Sequence, residues 1–401
     1  MDIQTFLRKH QLNPETIDGS VCLNKLLRQM ELGLAGEGNI PMIPSYLSLD
    51  IHPVAGQSCC VMDAGGTNLR YARAVFSKDG SCSFSGLRKL PMPGIRVELT
   101  FDEFYGSLAD YVWETGCPER VGLCFSYNVL QERNLDGILH SWCKEVRVPE
   151  APGKPVGASL RRAVGDGCGR VNVLNDSTAA LLGAHGWNPT ITLGLILGTG
   201  INICYSESCR NISKVPGDLR KDTMIISTEI GEFDGFPKST FEEMVILASG
   251  EPEMAHAEKQ CAGGYLGDVI SLAWQAAARE GLINAAFTNP VSLPEISDYL
   301  SGSRNLPEDA GAKQIASTMI RRAAKIAAVL TAGPVLKSCN PGENCGMVIE
   351  GSQYEKLTGF GDAFRRELDE LLKPYAIEVR ISKVENSCLI GAALAAFAEP
   401  M

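Results

Sequence analysis

Val61-Met62-Asp63-Ala64-Gly65-Gly66-Thr67-Asn68, continued by Leu69-Arg70-Tyr71-Ala72-Arg73-Ala74-Val75-Phe76, is the stretch on which the fold depends. It places a carboxylate at the end of an apolar run, then two glycines, then two small polar residues, then a second extended run. Glycines let backbone N–H groups approach an anion with no Cβ in the way, and Thr and Asn add short donors. A P-loop or a dinucleotide fingerprint needs a helix to begin at the glycines. Residues 69–76 instead alternate larger apolar with polar or small side chains, which is a strand pattern. The unit is therefore strand, glycine turn, strand. Taken alone it is either a phosphate-facing turn or an ordinary hairpin.

A chain of 401 residues exceeds what one core usually supports, so two lobes are expected. Apolar residues make up 45% and charged residues 21%, the balance of a water-soluble globular protein. A formal charge of -10 argues against nucleic acid or an anionic membrane as partner. It does not exclude a nucleotide, whose phosphates respond to local N–H groups and metal. No apolar run approaches the ~18 residues of a membrane span, and the N-terminal residues carry no secretory pattern. The 14 cysteines include no CxxC pair, and Cys339 and Cys345 flank the isolated loop NPGEN. They read as reduced thiols of a cytoplasmic protein.

Residues 1 to about 35 carry a helical stripe of Leu23, Leu26, Leu27, Met30 and Leu32, closed by Gly33, Gly36 and Gly38. A proline-bearing connector leads to the opening motif. Thr100 with Glu103 predicts a capped helix over the following residues. Residues 121–126 read as a buried strand, then a polar loop and a short extended piece ending near Val148. Residues 171–174 form another buried strand, which delivers Asn175 and Asp176 to its carboxyl end. A second unit of strand, Gly198-Thr199-Gly200 turn and strand then follows, about 130 residues after the first. The repetition points to two similar lobes, each presenting one turn to a shared cleft. Further on, 312–333 read as a helix with Arg321, Arg322 and Lys325 on a solvated face.

Phosphoryl transfer needs a phosphate cradle, a metal and a base for the acceptor hydroxyl. The turns supply the cradle through Gly65, Gly66, Thr67 and Asn68, and through Gly198, Thr199 and Gly200. Asp63, beside the first turn, is a candidate to hold Mg²⁺ through water. Asp176 is either a catalytic base or the N-cap of the helix behind it.

With these pieces in order, the chain resembles the eukaryote-type hexokinase family, within the actin-like, ribonuclease H-like sugar kinases. VMDAGGTNLR resembles its first phosphate motif, and CFSYNVLQERNLDGILHSWCKEV its sugar segment. VLNDSTAALL resembles the segment of the catalytic base, and GLILGTGINICY the second phosphate motif. STEIGEF, AEKQCAGGYLGDV, STMIRRAAKIAA, VIEGSQY and IGAALAAFA follow in family order.

The resemblance implies an α/β fold of two ribonuclease H-like lobes with a cleft between them. Residues 1–52 would pack on the large lobe, 53–174 form the small lobe and 175–386 the large lobe, with 387–401 returning to the small lobe. It implies ATP and Mg²⁺ as cofactor and a hexose as acceptor, in a monomer or homodimer. Asp176 would take the 6-hydroxyl proton with Asn175 beside it. Ser126, Cys143, Lys144, Asn202, Glu229 and Glu258 would line the sugar. Lys144 and Arg70 would meet the transferred phosphoryl, as would Thr199, and Gly351 and Ser352 would border the adenosine.

Read locally, each has a plainer alternative. Glu229 and Glu258 could be surface carboxylates, Lys144 a solvated lysine, and Ser126 and Asn202 turn residues. The chain also departs from the family text. Cys143 replaces a threonine, Glu145 a glycine, Asn128 a proline, Ile230 a tryptophan and Ser352 a threonine. These changes gather round the sugar, so the choice of hexose is what the resemblance leaves open. A non-catalytic sugar-sensing regulator on the same fold is the alternative, and it should have lost the base or a phosphate turn.

Overall fold

The computed structural model describes residues 2–142, 146–215, 217, 222–303 and 306–400. Its strands are β1 (Ile43–Pro44), β2 (Ser58–Ala64), β3 (Asn68–Phe76), β4 (Cys82–Pro91), β5 (Arg120–Phe125), β6 (Asn128–Gln131), β7 (Gly137–Ser141), β8 (Arg170–Leu174), β9 (Ile191–Leu197), β10 (Ile201–Ser208), β11 (Thr223–Ser227), β12 (Asn344–Glu350) and β13 (Glu378–Ser382). One sheet runs β4-β3-β2-β5-β8 and the other β1-β11-β10-β9-β12-β13.

Without the edge strand β1, the two sheets share one plan. Three antiparallel strands come first in sequence, and the first of them is joined on its far side by two parallel strands. The repetition expected from the two glycine turns is therefore a repetition of whole sheets, in a two-lobed α/β fold. Cys59, Cys60, Val61 and Met62 of β2 are wholly buried, as befits a strand covered on both faces.

The helices Asp176–Trp187 and Ser387–Ala395 pack on one another and carry a core of their own. It draws Val61, Cys124 and Leu174 from the first sheet and Ile191, Cys204 and Val348 from the second. Backbone meets backbone where they cross. A Cβ on Gly391 would stand 1.9 Å from the Ala179 carbonyl oxygen, and one on Gly183 would stand 2.0 Å from that of Ser387. The last helix also lies against β5, where a Cβ on Gly122 would come within 1.8 Å of the Ala392 oxygen.

Thr100 and Glu103 make the expected reciprocal cap of helix Phe101–Glu114. Four expectations are corrected. The N-terminal 35 residues are not one helix: Ile3–Lys9 and Gly19–Ala35 flank a short 3-10 turn at Pro14–Thr16. The loop after residue 126 opens as a hairpin, β6 pairing antiparallel with β7. Residues 227–245, whose sequence reads as a mix of loop and strand, instead enter a helix at Thr240–Ala248, started by a Ser239/Glu242 capping box.

The largest correction concerns Arg322, which is 1% exposed rather than solvated. Its Nε and Nη2 donate to the Glu242 carboxylate at 2.7 and 3.1 Å. Nη1 donates to the Asn13 carbonyl and Thr16 Oγ1, and Nη2 donates also to the Pro237 carbonyl. A buried guanidinium is tolerable when each N–H finds an acceptor, and here the set ties the N-terminal turn to two helices. Among the described residues no helix is long and apolar enough to cross a membrane.

Candidate active site

The carboxyl ends of three neighbouring parallel strands deliver the first half of the site. Register pairs Asp63 with Cys124 and Ala64 with Phe125 across β2 and β5, and Cys124 with Leu174 across β5 and β8. The Gly65-Gly66 turn, Ser126 and Asn175-Asp176 thus leave the same sheet edge side by side. This is the edge where open α/β sheets hold ligands. Ser126 N donates to the Ala64 carbonyl at 3.1 Å, fixing the segment that follows β5 beside the turn.

In the first turn Gly65 N donates to the Asn68 carbonyl at 3.0 Å, leaving Thr67 and Asn68 exposed at the tip. The Asp63 carboxylate accepts from Arg70 Nε at 2.9 Å and Nη2 at 2.6 Å. Arg70 Nη1 reaches Asn386 Oδ1 at 3.2 Å, which joins the turn to the start of the last helix. There Ser387 Oγ bonds Glu350, at the end of β12. Burial pushes the Glu350 carboxyl up, while the Ser387 bond and Arg70 pull it back.

The second turn, Gly198-Thr199-Gly200, closes through Gly198 N to the Gly200 carbonyl at 3.0 Å. Its outer carbonyls are taken by the first amides of helix Gly263–Arg279: Gly263 N to Gly198 O at 2.8 Å and Gly264 N to Thr199 O at 2.9 Å. Gly351 stands at φ +110 with its missing Cβ 2.3 Å from the Leu197 oxygen, so only glycine fits beside this turn. Ser352 follows it, exposed.

Asp176 is the first residue of its helix and partly exposed, while the cap is Asn175. Asn175 Oδ1 accepts from Ser177 N at 2.9 Å and Ser177 Oγ at 2.8 Å. The local alternative for Asp176 therefore belongs to its neighbour, although Asp176 Oδ1 also accepts from Ser177 N at 2.8 Å.

From Ser177 a chain of bonds runs into the second lobe. Ser177 Oγ lies 3.3 Å from Ser227 Oγ, and Ser227 Oγ donates to Glu229 Oε1 at 2.9 Å. Asn202 Nδ2 donates to the same carboxylate oxygen at 2.6 Å. Its Oδ1 accepts from Glu229 N at 3.0 Å and from Ile203 N at 2.8 Å. Glu229 is neither a free surface carboxylate nor an ordinary loop residue, because its backbone is left-handed at φ +53. Burial, against the Ser227 bond and with the field of Asp176, pushes its carboxyl up to about 7. Glu258 Oε2 accepts from Ile201 N at 3.0 Å, immediately beside the second turn.

Asn175, Asp176, Asn202 and Glu229 thus belong to one connected network, and Glu258 adjoins the turn it borders. Ser126 and Asp63 stand at the carboxyl edge of the first sheet, which also delivers Asn175 and Asp176. Cys143 and Lys144 lie outside the described residues. Sequence reasoning missed Ser177, Ser227, Gly263, Gly264, Glu350, Asn386 and Tyr127. Ser227 carried a signal, standing two residues before Glu229 at the end of a strand. The surface groove lined by Tyr46, His52, Arg120 and Phe397 contains none of the site residues.

The hexokinase family models match residues 2–185 and, in two parts, 192–301 and 293–398. Hexokinase-2 of Candida albicans is 31% identical over 271 residues, covering 61% of this chain and 55% of that protein. The chloroplastic hexokinase-4 of rice (Oryza sativa subsp. japonica) is 29% identical over 424 residues, covering 92% and 83%. The chain spans little more than half the length of the Candida albicans and Saccharomyces cerevisiae relatives, 55% and 57%. Among solved structures, a hexokinase from Schistosoma mansoni complexed with glucose superposes with a TM-score of 0.83 at 20% identity, over 99% of this chain and 100% of that one. A ROK family glucokinase from Streptomyces griseus in complex with glucose and AMPPNP gives 0.54 at 16% identity, over 84% and 98%.

Proposed function

Because the chain belongs to the hexokinase family, we propose that it transfers the γ-phosphoryl group of Mg-ATP to the 6-hydroxyl of a hexose. One observation carries the reading: the base candidate Asp176 leaves the same sheet edge as the first phosphate turn and connects through Ser177 and Ser227 to Glu229. A hydroxyl seated against Asn175 and Glu229 meets the Asp176 carboxylate between the two turns. Asp176 accepts its proton as the oxygen attacks phosphorus. The amides of both glycine turns hold the phosphates, and Arg70, already aimed past Asp63, adds positive charge. Gly351 and Ser352 border the adenosine, and Ser126, Cys143 and Lys144 complete the sugar side.

Glucose is the first hexose to try, since structures of like fold hold it. Mannose and fructose follow. Asp63 fits a hydrated Mg²⁺: its carboxylate is 13% exposed at the turn mouth and lies 2.6 Å from Arg70 Nη2. Held by Asp63 through water, the ion would offset the negative charge of the phosphates.

The mechanical units follow the lobes, with the small lobe at 53–174 and the large lobe at 175–386. Residues 1–52 join the large lobe, in support of which β1 pairs with β11. Residues 387–401 return to the small lobe, where Gly122 receives the helix Ser387–Ala395. Closure about the crossed helices would exclude water, a competing acceptor. A cytoplasmic location accords with sugar phosphorylation. The sugar-sensing alternative requires a lost base or turn, and Asp176 and both turns are in place.

The test is ADP release from Mg-ATP with glucose, mannose, fructose, glucosamine and N-acetylglucosamine, for the wild type and Asp176→Ala. Sugar-dependent turnover is expected in the wild type and a loss of at least ~100-fold in the variant. Turnover with none of the sugars refutes the activity, and equal turnover in the variant refutes the base.

A further inference from the structure

Tyr127 sits where the sugar segment meets the first phosphate turn. Its side chain is buried, 3% exposed, so its hydroxyl must be satisfied within the protein. It donates to the Gly65 carbonyl at 2.8 Å. The residue before it, Ser126, bonds the adjoining carbonyl of Ala64 through its amide. Two consecutive residues of the sugar segment thus hold two consecutive carbonyls entering the turn.

The ring is held in turn. Phe125 lies 4.7 Å away between centroids, and Trp142 meets it edge-on at 4.9 Å and 88°. Trp142 is fixed by its own Nε1 bond to the Val148 carbonyl at 2.9 Å. Trp142 immediately precedes Cys143 and Lys144. Such an aromatic cluster leaves Tyr127 few rotamers and aims its hydroxyl at one place.

The geometry of the peptide bond gives this contact a consequence. In a trans peptide the carbonyl of one residue and the N–H of the next point in opposite directions. A Gly65 carbonyl drawn inward onto Tyr127 therefore turns the Gly66 N–H outward, toward the mouth of the turn. Glycines at 65 and 66 leave that plane free to rotate unless something outside the turn holds it.

We propose that Tyr127 is a positioning residue, whose hydroxyl locks the Gly65-Gly66 peptide plane so that the Gly66 N–H faces the nucleotide phosphates. Through Ser126 and Trp142 it couples this orientation to the hexose side of the cleft. The inference rests on the phosphotransferase reading for the identity of the ligands.

The test is Tyr127→Phe, which removes one oxygen and keeps the ring. Calorimetry with Mg-AMPPNP, alone and with saturating glucose, reads the turn without turnover. The expected result is a Kd for Mg-AMPPNP raised about 5- to 10-fold, the loss of one hydrogen bond's orientation. Glucose should tighten the nucleotide less in the variant than in the wild type, while glucose affinity measured alone changes less than about twofold. Val164→Ala, buried in the same core but outside the aromatic cluster, is the packing control, expected to lower the thermal midpoint with the nucleotide Kd unchanged. An unaltered Mg-AMPPNP Kd in Tyr127→Phe overturns the proposal, as does an equal rise for glucose and nucleotide. A wild type that binds Mg-AMPPNP but phosphorylates no sugar refutes the activity while leaving the arm without sugar intact.

Discussion

Substituting Glu229 by Gln tests whether the network at the heart of the site holds a carboxyl of shifted acidity. An ordinary glutamate here would titrate at 4.5, and in the folded protein burial pushes it up to about 7. Between those values the folded chain holds a proton that the unfolded chain has released. Stability therefore falls as pH rises through this window, and the loss is complete above pH 7. A shift of that size amounts to roughly 3 kcal/mol, and screening of the partly exposed carboxylate brings it nearer 2 kcal/mol. Gln keeps an acceptor for Asn202 and Ser227 but has no charge to desolvate. At pH 5 the two proteins should unfold at similar urea concentrations, and at pH 8 Glu229→Gln should be the more stable by roughly 2 kcal/mol.

Binding carries the complementary signature. Hexose hydroxyls that donate to the carboxylate favour its ionised form, so sugar binding near pH 6.5 should release a proton. Calorimetry in two buffers of different ionisation enthalpy would detect it, and Glu229→Gln should abolish it. Hexose affinity should correspondingly rise between about pH 6 and 8. A variant less stable than the wild type by the same margin at both pH values would refute the reasoning. It would mean that Asn202 and Ser227 already hold the group ionised.

Two further substitutions probe the scaffold. Glu242→Ala should cost about 3–5 kcal/mol in urea unfolding, because it strands the buried Arg322, whereas Glu242→Leu with Arg322→Met should cost far less; equal losses would argue that packing, not charge, is at stake. Gly391→Ala should destabilise by at least about 1–3 kcal/mol, since its Cβ would stand 1.9 Å from the Ala179 oxygen. Gly106→Ala, at a half-buried helix position where a Cβ would meet nothing within 4 Å, should instead add ~0.5–1 kcal/mol, and equal responses at the two glycines would refute the close-crossing account.

Local chemistry was legible where neighbours in sequence are neighbours in space. The β2 turn, the Thr100 cap and the strands ending at Phe125 and Leu174 all follow from short-range pattern. What escaped depends on distant partners. Arg322 lies in a run of RRAAK that reads as a solvated face, and only Glu242, 80 positions away, explains its burial. The β6–β7 hairpin was hidden because residues 128–141 carry few apolar side chains and gain order from pairing. Glu229 reads as a surface acid until Asn202 and Ser227 are placed around it. The left-handed backbone that presents it has no glycine to announce it.

The two turns look alike in sequence but are held by different means, and this bears on which of the chain's departures can reach the hexose. The second turn is fastened by backbone amides of Gly263 and Gly264, where a Cβ would stand 2.8 Å from the Gly198 oxygen and 2.7 Å from the Thr199 oxygen. The first is fastened by side chains, Tyr127 from the sugar segment and Arg70 with Asp63, so changes near Ser126 reach the phosphates as well as the sugar. Ile230 is wholly buried with Phe233 in the core beneath Glu229. On the proposed function it would therefore act on a hexose only by setting the backbone that presents Glu229. Asn128 is exposed and points to Ser141 at 3.4 Å, stiffening the hairpin that leads towards Trp142. Both substitutions act one step removed from the sugar, so they should shift affinity through geometry while leaving the set of hydrogen-bonding groups unchanged.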